Sequence, residues 1–351
     1  MKKSILIAPL NWGLGHATRC IPIINALIAQ NFEPVIASDG AALELLQKEF
    51  PNLECIELPS YNIEYSKKRM FFRLKLLLDS PKMMKAIKAE NEAIKSIIEA
   101  HNIVGIISDN RFGVYNESVP SVFITHQLQV LSGNTTWLST KLHQKIIKRF
   151  DECWVPDNKN APNLSGKLGH INGMPFTIKY IGPLSRFEKK NCDYRYEIMV
   201  LLSGPEPQRS ILEEKLLGEF KNYNGKVLFV KGIIEEEQTT TASGSMTICN
   251  YMTSDTLQKA LNESKLIVSR SGYTTIMDLA KLGKKAFFIP TPGQFEQEYL
   301  AKRLSQQGFV PSCKQDEFSI DKLETMNNFA GFETVDDEVD FERLFDLFKG
   351  K

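Results

Sequence analysis

Short apolar runs recur along the first half of the chain, at Ile5–Pro9, Pro34–Ser38, Leu53–Leu58, Ile103–Ser108, Ser121–Thr125 and Glu152–Val155. Each is too short for a buried helix and is bounded by turn-forming residues, so each predicts a strand. Between them the apolar positions change to helical spacing, as over Thr18–Gln30 and Ala41–Phe50. Strands alternating with amphipathic helices predict a parallel sheet covered on both faces. The pattern breaks at Gly182-Pro183 and turns polar through "YIGPLSRFEKK". A boundary belongs there, giving one domain over 1–182 and a second over 183–351. The alternation then restarts at Ile198–Leu202, Lys226–Val230, Met246–Asn250, Leu266–Ser269 and Ala286–Pro290. These elements predict α/β architecture: two Rossmann-like domains facing across a cleft. In the tail, Phe341, Leu344, Phe345 and Phe348 share one face of a closing helix, with the option of packing back on the first domain.

Composition narrows the class without changing this picture. A chain of 351 residues has room for two cores, with 42% apolar and 24% charged positions. A net charge of +1 provides no field for nucleic acid. The six cysteines (Cys20, Cys55, Cys153, Cys192, Cys249, Cys313) show no C-x-x-C spacing. That predicts neither a metal site nor a disulfide framework and suits a reducing cytoplasm. The first apolar run stops at Leu10 without a small-residue cleavage site, so it reads as a strand and not as a signal peptide. No stretch approaches the ~20 apolar residues of a membrane span.

One segment stands apart. Residues 66–90, "SKKRMFFRLKLLLDSPKMMKAIKAE", hold eight basic residues against two acidic ones, with Met70, Phe71, Leu74, Leu77 and Leu78 at helical spacing. Two readings stay open: a domain helix with a solvated basic face, or an interfacial helix on an anionic bilayer.

The candidate chemistry begins with "LIAPLNWGLGHATRC". A strand, then Gly13-x-Gly15, then a helix brings main chain close to a ligand and aims helix N–H groups at it. A dinucleotide fingerprint needs a further Gly or Ala where Thr18 stands, so that reading recedes. His16 is the stronger clue. At a helix start the dipole disfavours imidazolium, and a neutral imidazole at a cleft can serve as a general base. Asp109, past another predicted strand, would hold the second ring nitrogen. The plain alternatives are that His16 only packs the loop and that Asp109 only caps a helix. His126 also falls at a strand end, whereas His101, His143 and His170 have no supporting pattern.

In the second half, "LIVSRSGYTTIMDLAKLGKKAFFIPTPGQFEQEYLAKRL" places Ser271-Gly272 after a strand and before a helix beginning Tyr273-Thr274. "LLSGPEPQRS" places Ser203-Gly204 likewise. Small residues with helix-start N–H groups make a site for a diphosphate without a metal, although two ordinary capped helices are the plain alternative.

From Ser269 to Leu304 the sequence resembles the donor-binding motif of GT-B glycosyltransferases of family 28. The likeness is strong over about 40 residues of the second half and about 12 of the first. It implies inverting transfer of a hexosyl group from a UDP-sugar to an acceptor hydroxyl, with the donor in the C-terminal domain and the acceptor over the N-terminal one. Several relatives use lipid-linked acceptors, which would give the 66–90 segment a role at the membrane. It further implies that Ser271 and Gly272 meet the donor phosphates beside Ser203 and Gly204, with Asp278 on the ribose hydroxyls. Gln297 and Glu298 would hold the donor sugar, the Met252 backbone would read the uracil, and His16 would be the base. No cofactor or metal is implied. Arg19 departs from the family's best-known member, the enzyme of peptidoglycan synthesis, which has a proline there and one more glycine before its histidine. "GLGHATRC" is instead similar to the G-x-G-H-x-x-R-C pattern of a UDP-sugar hydrolase on the same scaffold, where water replaces the alcohol. An epimerase and a non-catalytic nucleotide-sugar-binding protein complete the alternatives.

Overall fold

The computed structural model describes residues 2–61, 80–333 and 339–350. They form two compact units, one of residues 2–61, 80–184 and 339–350, the other of residues 185–333.

The first unit is a seven-stranded sheet with strand order β3-β2-β1-β4-β5-β6-β7. The strands are β1 (Ser4–Pro9), β2 (Glu33–Ser38), β3 (Cys55–Glu57), β4 (Ile103–Asp109), β5 (Ser121–Ile124), β6 (Glu152–Val155) and β7 (Ile178–Tyr180). Every pairing is parallel. The helices are α1 (Gly15–Ala29), α2 (Gly40–Glu49), α3 (Ser80–His101) and α4 (Thr136–Ile147). Strands buried on both faces need apolar residues at consecutive positions, which is why Ile5, Leu6, Ile7 and Ala8 are all fully buried. Ile94 and Ile97 of α3 close one side of this core against Leu6, Val35 and Ile106. Strand order reverses between β1 and β4, where Pro9 pairs with Asp109 in register. The carboxyl ends of the strands at such a reversal form the natural ligand crevice of an open parallel sheet.

The C-terminal helix α9 (Phe341–Lys349) belongs to this unit. It buries Leu344, Phe345 and Phe348, with the Phe345 ring 6.0 Å from Phe32 and 6.4 Å from Trp154. Phe348 lies so close over Gly105 that a Cβ there would sit 2.2 Å from its ring, so only glycine fits beneath it.

The second unit is a six-stranded sheet of order β10-β11-β9-β8-β12-β13. Its strands are β8 (Tyr196–Leu201), β9 (Val227–Val230), β10 (Thr240–Ser243), β11 (Met246–Cys249), β12 (Ser264–Ser269) and β13 (Lys285–Phe288). Its helices are α5 (Gln208–Phe220), α6 (Ser254–Asn262), α7 (Tyr273–Leu282) and α8 (Phe295–Gln306). Val200, Phe229, Val268 and Phe287 of the sheet pack with Leu212, Leu216 and Phe220 of α5. Order reverses between β8 and β12, where Leu201 pairs with Ser269.

Two strands differ from the sequence-based expectation. β7 is a three-residue edge strand with no apolar run to announce it. β10 is a wholly exposed threonine-rich edge joined antiparallel to β11, so this sheet is not purely parallel. Of the 66–90 segment, residues 66–79 lie outside the described residues. The part within α3 turns Ile87 and Glu90 inward.

Candidate active site

The first unit assembles its polar residues at the carboxyl ends of β1 and β4. Gly13 makes the turn at φ +82°, a left-handed conformation that favours glycine. Leu10 N–H donates to the Asp109 carbonyl (2.9 Å), which ties the loop to β4. α1 then begins at Gly15 and carries His16 and Arg19 three residues apart, on one face. His16 Nδ1 lies 2.7 Å from Asp109 Oδ1. Arg19 Nη2 lies 2.9 Å from the same nitrogen, so Nδ1 sits between a donor and a carboxylate; the tautomer that donates from Nδ1 to Asp109 leaves the acceptor lone pair on Nε2. Arg19 donates to both Asp109 oxygens through Nε and Nη2, and its Nη1 reaches His126 Nδ1 at 3.2 Å.

These contacts fix the charge states. Burial alone would raise the Asp109 carboxyl, but Arg19 and then His16 overcome it and hold it at about 2. Burial, and then the Arg19 guanidinium, lower His16 below its ordinary value, with Asp109 opposing. The ring is therefore neutral near pH 7, for reasons that add desolvation and a neighbouring cation to the helix dipole. Beside this group, buried Arg111 donates to Glu90 Oε1 (2.5 Å), Asp39 Oδ1 (2.6 Å) and the Pro59 carbonyl (2.7 Å). Asn11 of the glycine loop reaches Asp39 Oδ2 at 3.3 Å, so this second ion network braces the same loop.

Arg19 is a buried member of this cluster that the sequence marks only as a departure from the family's best-known member. An arginine three residues after His16 and nearly fully buried demands an acidic partner, and Asp109 is that partner. The remaining histidines are structural. His101 meets Glu54 at 3.0 Å. His170 stacks on Tyr180 with ring centroids 5.0 Å apart. His143 is buried against Phe112 and Phe123 and pushed down to about 4, by burial first and then by His126.

The second unit gathers its candidates at the ends of β8, β12 and β13. Ser203-Gly204 follows β8, with Gly204 at φ +105°. Ser271-Gly272 follows β12, and Gly272 is the N-cap of α7. A Cβ on Gly204 would have only Thr291 Oγ1 within 4 Å, and one on Gly272 only Thr275 Oγ1, each at 3.9 Å. Both glycines thus border open space. Tyr273 is 2% exposed and Thr274 is buried, because the first turn of α7 is packed inside the unit. What they bring to the helix start is main-chain N–H.

Asp278, on the next turn of α7, is buried and accepts a hydrogen bond from Ser185 Oγ at 2.7 Å. Burial raises its carboxyl to about 6, opposed by Arg186 and Ser185. Gln297 and Glu298 open α8, where their side chains accept from the main-chain N–H of Thr291 (2.9 Å) and Gly293 (3.0 Å) and so shape the β13–α8 loop. Met252 is half-buried in the loop between β11 and α6. Gly13, Gly15, His16 and Asp109 are thus grouped within the first unit, while Ser203, Gly204, Ser271, Gly272 and Asp278 border neighbouring strand ends in the second. Among the described residues no cluster of three His, Cys, Asp or Glu side chains is placed to hold a metal ion. None of the described helices is long and apolar enough to cross a membrane.

Residues 208–327 match the glycosyltransferase family 28 C-terminal domain. The chain is 23% identical to an uncharacterized glycosyltransferase of Methanopyrus kandleri over 325 residues, covering 88% of each chain. It is 24% identical to the UDP-N-acetylglucosamine--N-acetylmuramyl-(pentapeptide) pyrophosphoryl-undecaprenol N-acetylglucosamine transferase of Clostridium tetani, covering 92% of this chain and 89% of that one. In fold it is similar to the crystal structure of Acinetobacter baumannii MurG, with a TM-score of 0.57 at 12% identity and 99% coverage of both. Two parallel-rich α/β sheets, each with its polar residues at the strand reversal, make this a GT-B glycosyltransferase. The family 28 C-terminal domain over residues 208–327, with glycosyltransferases among the relatives of the whole chain, makes the protein a glycosyltransferase similar to those of family 28.

Proposed function

We propose that the enzyme transfers a hexosyl group, with inversion, from a UDP-sugar to an acceptor hydroxyl, using His16 as general base and no metal. The observation that carries this reading is the 2.7 Å approach of His16 Nδ1 to Asp109, which supports a tautomer with Nδ1 donating and Nε2 as the proton acceptor. In the proposed step, Nε2 takes the acceptor's O–H proton as the oxygen forms a bond to the anomeric carbon. The bond from that carbon to the diphosphate breaks and UDP departs. Asp109 steadies the imidazolium as it forms. The leaving diphosphate is met by main-chain N–H groups at the start of α7 and beside Ser203-Gly204, dipoles fixed in advance of the charge they stabilise. Asp278 accepts from the ribose hydroxyls, and the Met252 backbone faces the uracil. Gln297 and Glu298 hold the β13–α8 loop against the sugar.

The activity for which the C. tetani relative is named, with UDP-N-acetylglucosamine as donor and an undecaprenol-linked acceptor, supports both donor and acceptor in kind. A lipid-linked acceptor makes this a peripheral enzyme on the cytoplasmic face of a membrane, contacting it through the basic 66–90 sequence. α4 of the same unit exposes Trp137, Leu138 and Leu142 beside Lys141, which favours such contact.

Incubation with UDP-hexoses, with and without candidate hydroxyl acceptors, tests the reading. UDP release that depends on acceptor is the expected result. Free hexose released at the same rate without acceptor would make water the acceptor and replace transfer with hydrolysis.

A further inference from the structure

Arg270, immediately before Ser271, is 1% exposed. Its guanidinium donates from Nη1 to the carbonyls of Ile289 (3.1 Å) and Pro290 (3.2 Å), and from Nη2 to the Gln208 carbonyl (2.8 Å) and Gln315 Oε1 (2.6 Å). All four acceptors are neutral, and Nε is buried with no partner. The contrast with the other buried arginines is sharp: Arg19 pairs with Asp109, and Arg111 with both Asp39 and Glu90. A buried cation is ordinarily balanced by a carboxylate, because dipoles of neutral carbonyls recover only part of its lost hydration. Burial accordingly draws this guanidinium down toward about 9, with no anion acting to restore it.

Its position suggests what completes the balance. Arg270 touches the first residue of α5, which comes after Ser203-Gly204, and it belongs to the β12–α7 turn of Ser271-Gly272. It also holds the β13–α8 loop one residue before Thr291. Thr291 Oγ1 is the second buried polar atom here without a partner, and it faces the open space at Gly204. Three loops and two unsatisfied donors therefore converge where the proposed reaction leaves its diphosphate.

We propose that Arg270 is a positioning residue whose unbalanced charge is the built-in counter-ion of the nucleotide diphosphate, drawing that dianion to loops which the same guanidinium holds in register. The proposal rests on the reading of this unit as the UDP site. It assigns to a residue that touches no ligand the discrimination between a nucleoside diphosphate and the bare nucleoside. A unit charge acting across a few ångströms of partly buried protein changes affinity by about 10- to 100-fold.

The test is calorimetric titration of uridine and of UDP into wild type, Arg270→Gln and Arg270→Lys. Arg270→Gln is expected to weaken UDP about 10- to 100-fold while leaving uridine within about threefold, and Arg270→Lys to recover most of the UDP affinity. Equal losses of uridine and UDP in both variants would reduce Arg270 to a structural tie and overturn the proposal, as would an unchanged UDP affinity. If Arg270→Gln does not fold, the lysine variant decides alone. Uridine and UDP affinities both within about threefold of wild type, despite lower stability, support the counter-ion; equal losses of both, or a loss of UDP alone, refute it. Wild type binding UDP no more tightly than uridine would instead show that the diphosphate reading had failed.

Discussion

The two units handle charge at their strand ends in opposite ways. In the first, charged side chains are buried and paired: Asp109 holds Arg19 and His16, and Arg111 sits between Asp39 and Glu90. In the second, the corresponding strand ends carry serines, glycines and a helix start; Arg209 there is paired with Glu206 and Glu213, but Arg270, more deeply buried, has no acidic partner. A satisfied ion network is stiff and sets one side chain's protonation and orientation, as proton transfer requires. A cradle of amides around an unbalanced cation is incomplete until an anion arrives, as anion binding requires. In the proposed function the same Rossmann-like scaffold would supply a base in one unit and an anion site in the other, through the loops and helix starts beyond the strands and not through the strands themselves.

The sharpest way to break this contrast is to remove the base. His16→Ala should lower turnover by ~10²–10⁴ in a coupled UDP-release assay, while thermal unfolding moves little. Comparable loss of UDP affinity would dissolve the separation of roles. Next in size, Asp109→Asn should cost ~3–5 kcal/mol in urea unfolding, because Arg19 is left buried without its anion. A change under about 1 kcal/mol would mean the ion network contributes nothing particular. The pH dependence has a definite sign. The Asp109 carboxyl is depressed from 3.8 to about 2, so its stabilisation is present above 3.8 and is lost as pH falls through that window. For wild type this amounts to ~2 kcal/mol absent from the Asp109→Asn curve.

The smallest effect belongs to Asp278. Its carboxyl is raised to about 6, so a native protein without ligand binds this proton more tightly than the unfolded chain and loses stability as pH rises from 3.8 to 6. Ribose binding calls for the ionised form. Uridine affinity should therefore fall up to about tenfold as pH drops below 6, uridine being chosen because it carries no phosphate to titrate. A flat uridine profile across that range would remove Asp278 from the ribose.

Much of the architecture was legible in the sequence, because a parallel sheet buried on both faces writes its strands as uninterrupted apolar runs: Glu152–Val155 is the same in pattern and structure. β10 escaped because an exposed edge strand owes its pairing to a turn at Gly244 and not to burial, so no apolar signal marks it. The His16–Asp109 pair was readable from two strand ends, since the strand order puts β1 beside β4. Arg19 and Arg270 were not. A basic residue in a helix or after a strand looks like surface until its burial is known, and only partners 90 positions away for Arg19, and 62 and 45 for Arg270, reveal their work.

The division of labour between the units is tested most directly by titrating UDP into His16→Ala and Gly272→Val. A valine at Gly272 meets no strain in the folded chain, since φ is −69° and its Cβ has only Thr275 Oγ1 for a neighbour, yet it enters the space assigned to the phosphates. The account predicts that His16→Ala binds UDP as wild type does, and that Gly272→Val binds it about 10- to 100-fold more weakly while remaining folded. The contrary pattern, with UDP retained by Gly272→Val and lost by His16→Ala, would place the nucleotide in the wrong unit and contradict the account at its centre.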